Sequence, residues 1–192
     1  MGIVAKDGGG ISPVPEGLFQ AVCWAVYDLG TQFSEKWNKT ARQALIIWEI
    51  PEERIEVEKD EKKVDLPRVV SKRYTLSLGD RALLRKDLES WRGKKFLPEE
   101  LSGFDITKLV GVNCMIQIIH TIRDGKTYAN ISSIVPLVKG MEKLLPENKT
   151  RIFSMADGDS IPEDTPQWII DLIKSSAEYK GRGDDAEGGV PF

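Results

Sequence analysis

A mainly β domain of five strands with one inserted helix is the fold class the sequence predicts. Three observations predict it. Five stretches of 11 or 12 residues, rich in β-branched and aromatic side chains, are separated by polar or Gly-containing breaks. A single segment, GDRALLRKDLESWRG, switches to helical spacing between the third and fourth of these stretches. The bulk composition fits one domain with an appendage: 192 residues, 41% hydrophobic and 30% charged.

The elements follow in order. Residues 1–16 read as an N-terminal arm rich in Gly and Pro. The first strand is LFQAVCWAVYDL, Leu18 to Leu29, and GTQFSEKWNK at 30–39 is a polar loop. The second strand is TARQALIIWEI, Thr40 to Ile50. The charge-dense stretch 51–66 reads as a long mobile loop of a hairpin, and RVVSKRYTLSL, Arg68 to Leu78, is the third strand. The helix then places Leu84, Leu88 and Trp91 on one face, with Asp80 in its first turn, Arg92 in its last and Gly93 as its stop. Residues 98–110 read as short helical turns. NCMIQIIHTIR (Asn113 to Arg123) and KTYANISSIVPL (Lys126 to Leu137) are strands joined by Asp124-Gly125, a pair suited to the twist of a tight hairpin. This order is that of the OB-fold, a five-stranded Greek-key barrel.

After a polar stretch, TPQWIIDLIKSSAEYK predicts a C-terminal helix with Thr165 as N-cap, Pro166 at its first position, and Trp168, Ile169, Leu172 and Ile173 on one side. Docking on the barrel is the expected role, with a second subunit as the other. The domain organisation expected is therefore an arm at 1–16, the barrel at 17–145, an extension with a helix at 146–180, and a disordered acidic tail at 181–192.

Charge is unevenly spread. The net charge of −3 argues against a globally cationic binder. Yet residues 68–95 carry a net +6, and residues 142–192 carry a net −5. On the third strand, Lys72 and Tyr74 share one face and Arg73 lies on the other. In an OB-fold a ligand crosses strands two and three, between the loops joining strands one and two and strands four and five. Those places hold Trp48, Arg68, Lys72, Arg73 and Tyr74; Phe33, Lys36, Trp37 and Lys39; and Arg123, Lys126 and Tyr128. Rings of this kind stack on bases and cations follow phosphates, at about 1–3 kcal/mol per stacked base. Trp48 and Tyr74 read equally well as core residues, and the basic helix face as a solvated surface. Two rings in a polar loop, Phe33 and Trp37, favour a function.

Other classes find little support. His120, the single histidine, sits among isoleucines and reads as structural; no catalytic constellation, P-loop or metal-ligand spacing is present, so no enzyme and no cofactor are expected. Cys23 and Cys114 read as buried thiols in a reducing, cytoplasmic setting. No apolar run approaches the ~18 residues of a membrane span, and the first residues lack the pattern of a signal peptide or a myristoylation start.

The last residues, GDDAEGGVPF, pair acids with a terminal aromatic ring. They resemble the C-terminal tip of bacterial single-stranded DNA-binding proteins. That resemblance implies a partner-binding tip of Asp184, Asp185, Glu187, Val190, Pro191 and Phe192. Physically, the acids would steer the tail to basic rims while the ring enters an apolar pocket. The stretch from about residue 12 to 145, most clearly Ser71 to Phe96 and Lys126 to Ile134, resembles a bacteriophage-encoded family of single-stranded DNA-binding proteins. The resemblance implies an OB-fold protein that coats exposed strands in phage DNA replication or recombination. Its partners would be single-stranded DNA and, through the tip, replication or recombination enzymes, in the host cytoplasm if viral. A strand-annealing mediator and a non-DNA-binding structural or adaptor module are the alternatives, and homo-oligomerisation is left open.

Overall fold

In a computed structural model, residues 12–35, 38–59, 62–156, 158 and 160–184 are described. The elements are β1 (Gly17–Ser34), β2 (Lys39–Lys59), β3 (Lys62–Thr75), α1 (Leu83–Arg92), β4 (Asn113–Arg123), β5 (Lys126–Val135), β6 (Arg151–Phe153), α2 (Gln167–Lys174) and α3 (Ala177–Asp184). Two short 3-10 turns, Glu100–Ser102 and Ile106–Leu109, lie between α1 and β4. The mainly β expectation holds. Five antiparallel strands run in the order β3-β2-β1-β4-β5, and β6 adds to β1 in parallel.

The curl of this sheet originates in β1. Its first residues, Gly17–Val22, pair with β4, while Val22–Ser34 pair with β2. Irregularities between Cys23 and Ala25 and between Asp28 and Gly30 bend the strand as it changes partner. The sheet therefore wraps into a half-barrel whose two edges, β3 and β5, approach each other. A long contact from Lys72 Nζ to the Ile131 carbonyl, 3.5 Å, ties them.

Both faces of the central strands are buried. Inside the curl, Cys23, Val26, Ile46, Trp48, Ile50, Val70, Ile116 and Ile118 form the core, closed from below by Leu84, Leu88 and Trp91 of α1. The Trp48 and Trp91 rings meet at 5.5 Å, and Trp91 Nε1 donates to the Asn113 carbonyl at 3.0 Å. Ser90 Oγ donates to the Ile134 carbonyl at 2.6 Å, tying α1 to β5. Outside the curl, Ala25, Tyr27, Leu29, Leu45 and Ile47 meet Phe153, Met155, Ile169 and Ile173. Burying two faces explains why ALIIW and AVCWAV lack a clean polar alternation. Ile169 and Ile173, each with no exposed surface, hold α2 down by about 1.5–3 kcal/mol apiece. The C-terminal helix thus docks on the outer face of its own sheet.

Several boundaries differ from the sequence expectation. Stretch 51–66 is mostly strand, not loop: β2 and β3 continue as a hairpin past a register shift between Ile50 and Arg54. Asp80 precedes α1, whose N-cap position is Ala82. Thr165 does not cap α2; Pro166 holds that position, and Thr165 is buried. The helix expected over 165–180 breaks at Ser175–Ser176, and α3 runs into the first four residues of the expected tail. Here β1 is clamped: the Glu178 carboxylate accepts from Thr31 N at 2.7 Å and Thr31 Oγ1 at 2.6 Å. Burial works to raise the Glu178 pKa, and the Thr31 donors with Arg42 outweigh it and hold the group below the usual carboxylate range. Cys23 and Cys114 are buried, and burial pushes the Cys23 thiol up to about 12 and raises that of Cys114.

Candidate nucleic-acid interface

The half-barrel has two ends. Strand directions place the β2–β3 turn, the β4–β5 turn and the start of β1 at one end, called upper here. The β1–β2 turn, the end of β3 and α1 lie at the other, lower end. The candidate residues divide between these ends and the interior.

At the upper end, a cleft of about 570 Å³ opens between the two hairpins. One wall is the extended β2–β3 hairpin. Past the register shift, Ile55 pairs with Leu66 and Val57 with Val64, so these apolar side chains share one face. Ile55, Val57 and Leu66 line the cleft, and Arg54, Glu56, Lys63 and Asp65 take the opposite face, where Arg54 pairs with Asp65 and Lys63 with Glu56. Pro67, which lacks an N–H, sits at the shift, where a strand tolerates it. The other wall is Thr127, Tyr128 and Ala129 of β5, and Pro13 and Val14 close the back.

Arg68 stands within this cleft. Its guanidinium donates to the carbonyl and hydroxyl oxygens of Ser12 and to the Arg54 carbonyl at 3.2 Å. All of these acceptors are neutral, so its charge is positioned without being cancelled. Tyr128 pairs with Thr121 across the strands and is 47% exposed. Arg123 and Lys126 face each other beside it, flanking a turn in which Asp124 (φ 50°) and Gly125 (φ 72°) are both left-handed, the geometry that matches strand twist. Among the described residues, Arg68, Arg123 and Lys126 form no ion pair.

Three candidates point inward. Trp48 has no exposed surface, so its ring has no face to offer a base. Tyr74 is 2% exposed and donates its hydroxyl to Asp87 Oδ2 at 2.8 Å; burial, then the Asp87 charge, raises its pKa. Lys72 shares that carboxylate at 2.6 Å, with Nζ 5.6 Å from the Tyr74 ring centre. These three build the barrel floor above α1.

At the lower end, Phe33 is 59% exposed and pairs with Thr40, and the exposed Lys39 pairs with Ser34. Arg73 points outward from β3 and donates to Gln43 Oε1. Lys36 and Trp37 lie outside the described residues, as do Asp185, Glu187, Val190, Pro191 and Phe192 of the expected tip. Asp184 is the last residue of α3.

The ligand was expected to cross strands two and three, and of β2 the outer face is covered. Leu45 and Ile47 lie under Phe153 and Ile169. Nothing in strand periodicity announced this, because the covering residues lie more than 100 positions away in the chain. The apolar hairpin face was readable: RIEVEK and KKVDL alternate with period two, the mark of a strand. Their charge density made them look like loop.

Comparison with protein-family profiles, with curated proteins and with solved structures finds no match for this chain. Among the described residues no cluster of His, Cys, Asp or Glu is placed to hold a metal ion, and no helix is long and apolar enough to cross a membrane.

Proposed function

We propose that this protein binds single-stranded DNA without sequence preference, through an OB-fold. The observation that carries this reading is the upper cleft. It sets an exposed ring, Tyr128, against an apolar wall, beside three cations with no acidic partner among the described residues. An unpaired base offers a π-face and an apolar edge to such a wall, and its phosphate offers an anion to Arg68, Arg123 and Lys126. A duplex keeps its bases stacked away from both.

The fold supports the same reading. The element order β1-β2-β3-α1-β4-β5, the pairing of β1 with both β2 and β4, and α1 seated under the curl are features of an OB barrel. In this reading the protein coats strands exposed in phage DNA replication or recombination, and the acidic segment beyond α3 recruits enzymes that work on them. Tyr128→Ala tests the cleft. Because the side chain is half exposed, the fold should survive, and affinity for an oligo-dT should fall by the ~1–3 kcal/mol of one stacked base, about 5- to 150-fold. Tyr128→Phe should retain most of it. Unchanged affinity in Tyr128→Ala would remove the cleft from the site.

A further inference from the structure

The upper cleft is too short to hold all of a strand, and the structure limits where the strand can go next. Crossing the outer face of β2 is blocked, because α2 and β6 occupy it. Among the described residues nothing covers the outer face of β3 from Val69 to Thr75, where Val69, Ser71, Arg73 and Thr75 are exposed. Val69 and Ser71, which line the cleft, share that face with Arg73 and Thr75 two and four residues further on. From Val69 to Thr75 is about 20 Å of strand at ~3.3 Å per residue.

Three hollows continue from Arg73 along α1. The first, about 630 Å³, lies between the end of β3 and the start of the helix and contains Arg73, Thr75 and Arg81. The second, about 540 Å³, shares Asp80, Arg81 and Ala82 with the first and adds Lys86. The third, about 470 Å³, shares Lys86, Glu89 and Lys95 with the second and adds Lys94. Because adjacent hollows share residues, they form one groove. It holds six cations, Arg73, Arg81, Arg85, Lys86, Lys94 and Lys95, against two carboxylates, Asp80 and Glu89.

Those carboxylates are already occupied. Arg85 takes Asp80 at 2.6 Å and Glu89 at 3.1 Å, and Lys95 takes Glu89 at 2.8 Å. Among the described residues, Arg81, Lys86 and Lys94 are exposed and form no ion pair, and Arg73 is held by the neutral Gln43. The groove has no exposed aromatic ring among the residues that line it. A surface with positive charge and no stacking platform suits a phosphate backbone rather than bases.

We propose that the α1 groove is a second, purely electrostatic segment of the binding path: a strand stacked in the upper cleft runs down β3 and lays its phosphates on Arg73, Arg81, Lys86 and Lys94. This inference rests on the single-strand reading above. It implies that the site has two parts of different chemistry. Short strands use the cleft, and longer strands add the groove and with it a steeper dependence on salt.

The test compares labelled oligo-dT of about four and about 25 nucleotides, lengths chosen to end short of the groove and to reach past it. Binding of each to the full chain is measured by fluorescence anisotropy across a salt series. The variant Arg81→Ala/Lys86→Ala/Lys94→Ala is compared with Lys139→Ala/Lys143→Ala/Lys149→Ala, which removes the same charge from exposed positions off the path. The groove variant should lower the salt slope of the long oligonucleotide by about two, from three lost phosphate contacts at ~0.7 each, and leave the short one unchanged. The control variant should alter neither slope by more than a fraction of that. Equal losses for both lengths, or equal losses in both variants, would overturn the groove while leaving single-strand binding intact. If the unaltered protein binds neither oligonucleotide, the function itself falls, and the groove with it.

Discussion

Lys72 Nζ lies 2.6 Å from Asp87 Oδ2, and this contact joins β3 to α1 within the barrel. Both side chains are largely buried, at 18% and 13% exposure, and Tyr74 gives its hydroxyl to the same carboxylate. Removing one partner strands the other charge away from water. Asp87→Asn should cost about 1–3 kcal/mol, reduced from a fully buried pair by the residual exposure, as read from urea unfolding. Adding Lys72→Met should recover most of the loss, since the Asn oxygen still accepts from Tyr74. That double variant should bind oligo-dT within about twofold of the unaltered protein; a collapse would mean that Lys72 contacts the strand, as its position in the sequence suggests.

At Gly30 the C-terminal extension packs directly against the backbone of β1. The φ of Gly30 is +64°, and a Cβ there would sit 2.7 Å from Ser176 Cβ and 2.8 Å from Glu178 Oε2. An alanine would suffer both a left-handed backbone and a collision with the clamp on Thr31. Gly30→Ala should destabilise by about 2–4 kcal/mol, combining the backbone penalty with overpacking. The loss should appear in thermal unfolding, with α2 and α3 more open to proteolysis than the barrel.

Acid should weaken the floor of the barrel through Glu89. The Lys95 ammonium, with the Phe96 amide at 3.1 Å and the Arg85 guanidinium, holds this carboxyl down at about 2. A group with a depressed folded pKa stabilises fully above its unfolded value, and the contribution disappears as pH falls toward the folded one. The window therefore runs from about pH 4.5 down to about 2. Urea midpoints at stepped pH should fall through that window. In Glu89→Gln the midpoint should start lower at neutral pH and fall less steeply with acid. A parallel fall in both proteins would show that other carboxylates account for it.

Much of the barrel was legible because its signals are local. The Asp124-Gly125 turn, the spacing of Leu84, Leu88 and Trp91, and Gly93 as helix stop each act within a few residues. What was not legible depended on distant packing. Trp48 reads the same in sequence whether it faces a ligand or Trp91, and only the register against Val70 decides. Lys72, beside Arg73, looks like half of a basic patch until α1 delivers Asp87 beneath it. The hairpin at 51–66 hid because its charged face dominates its composition, while its half-buried apolar side chains, Ile55, Val57, Val64 and Leu66, hold only alternate positions. Charge counting marked residues 68–95 as basic but could not separate the paired cations, Lys72, Arg85 and Lys95, from Arg81, Lys86 and Lys94.

Titration of labelled oligo-dT with the unaltered full chain, by anisotropy from about 50 to 300 mM salt, tests the account most directly. Single-strand binding through phosphates and stacked bases predicts a signal at micromolar protein or below, an affinity falling linearly with the logarithm of salt, and a much weaker signal with duplex of the same length. No signal at micromolar protein in the lowest salt would contradict it and leave the chain as a structural or adaptor module.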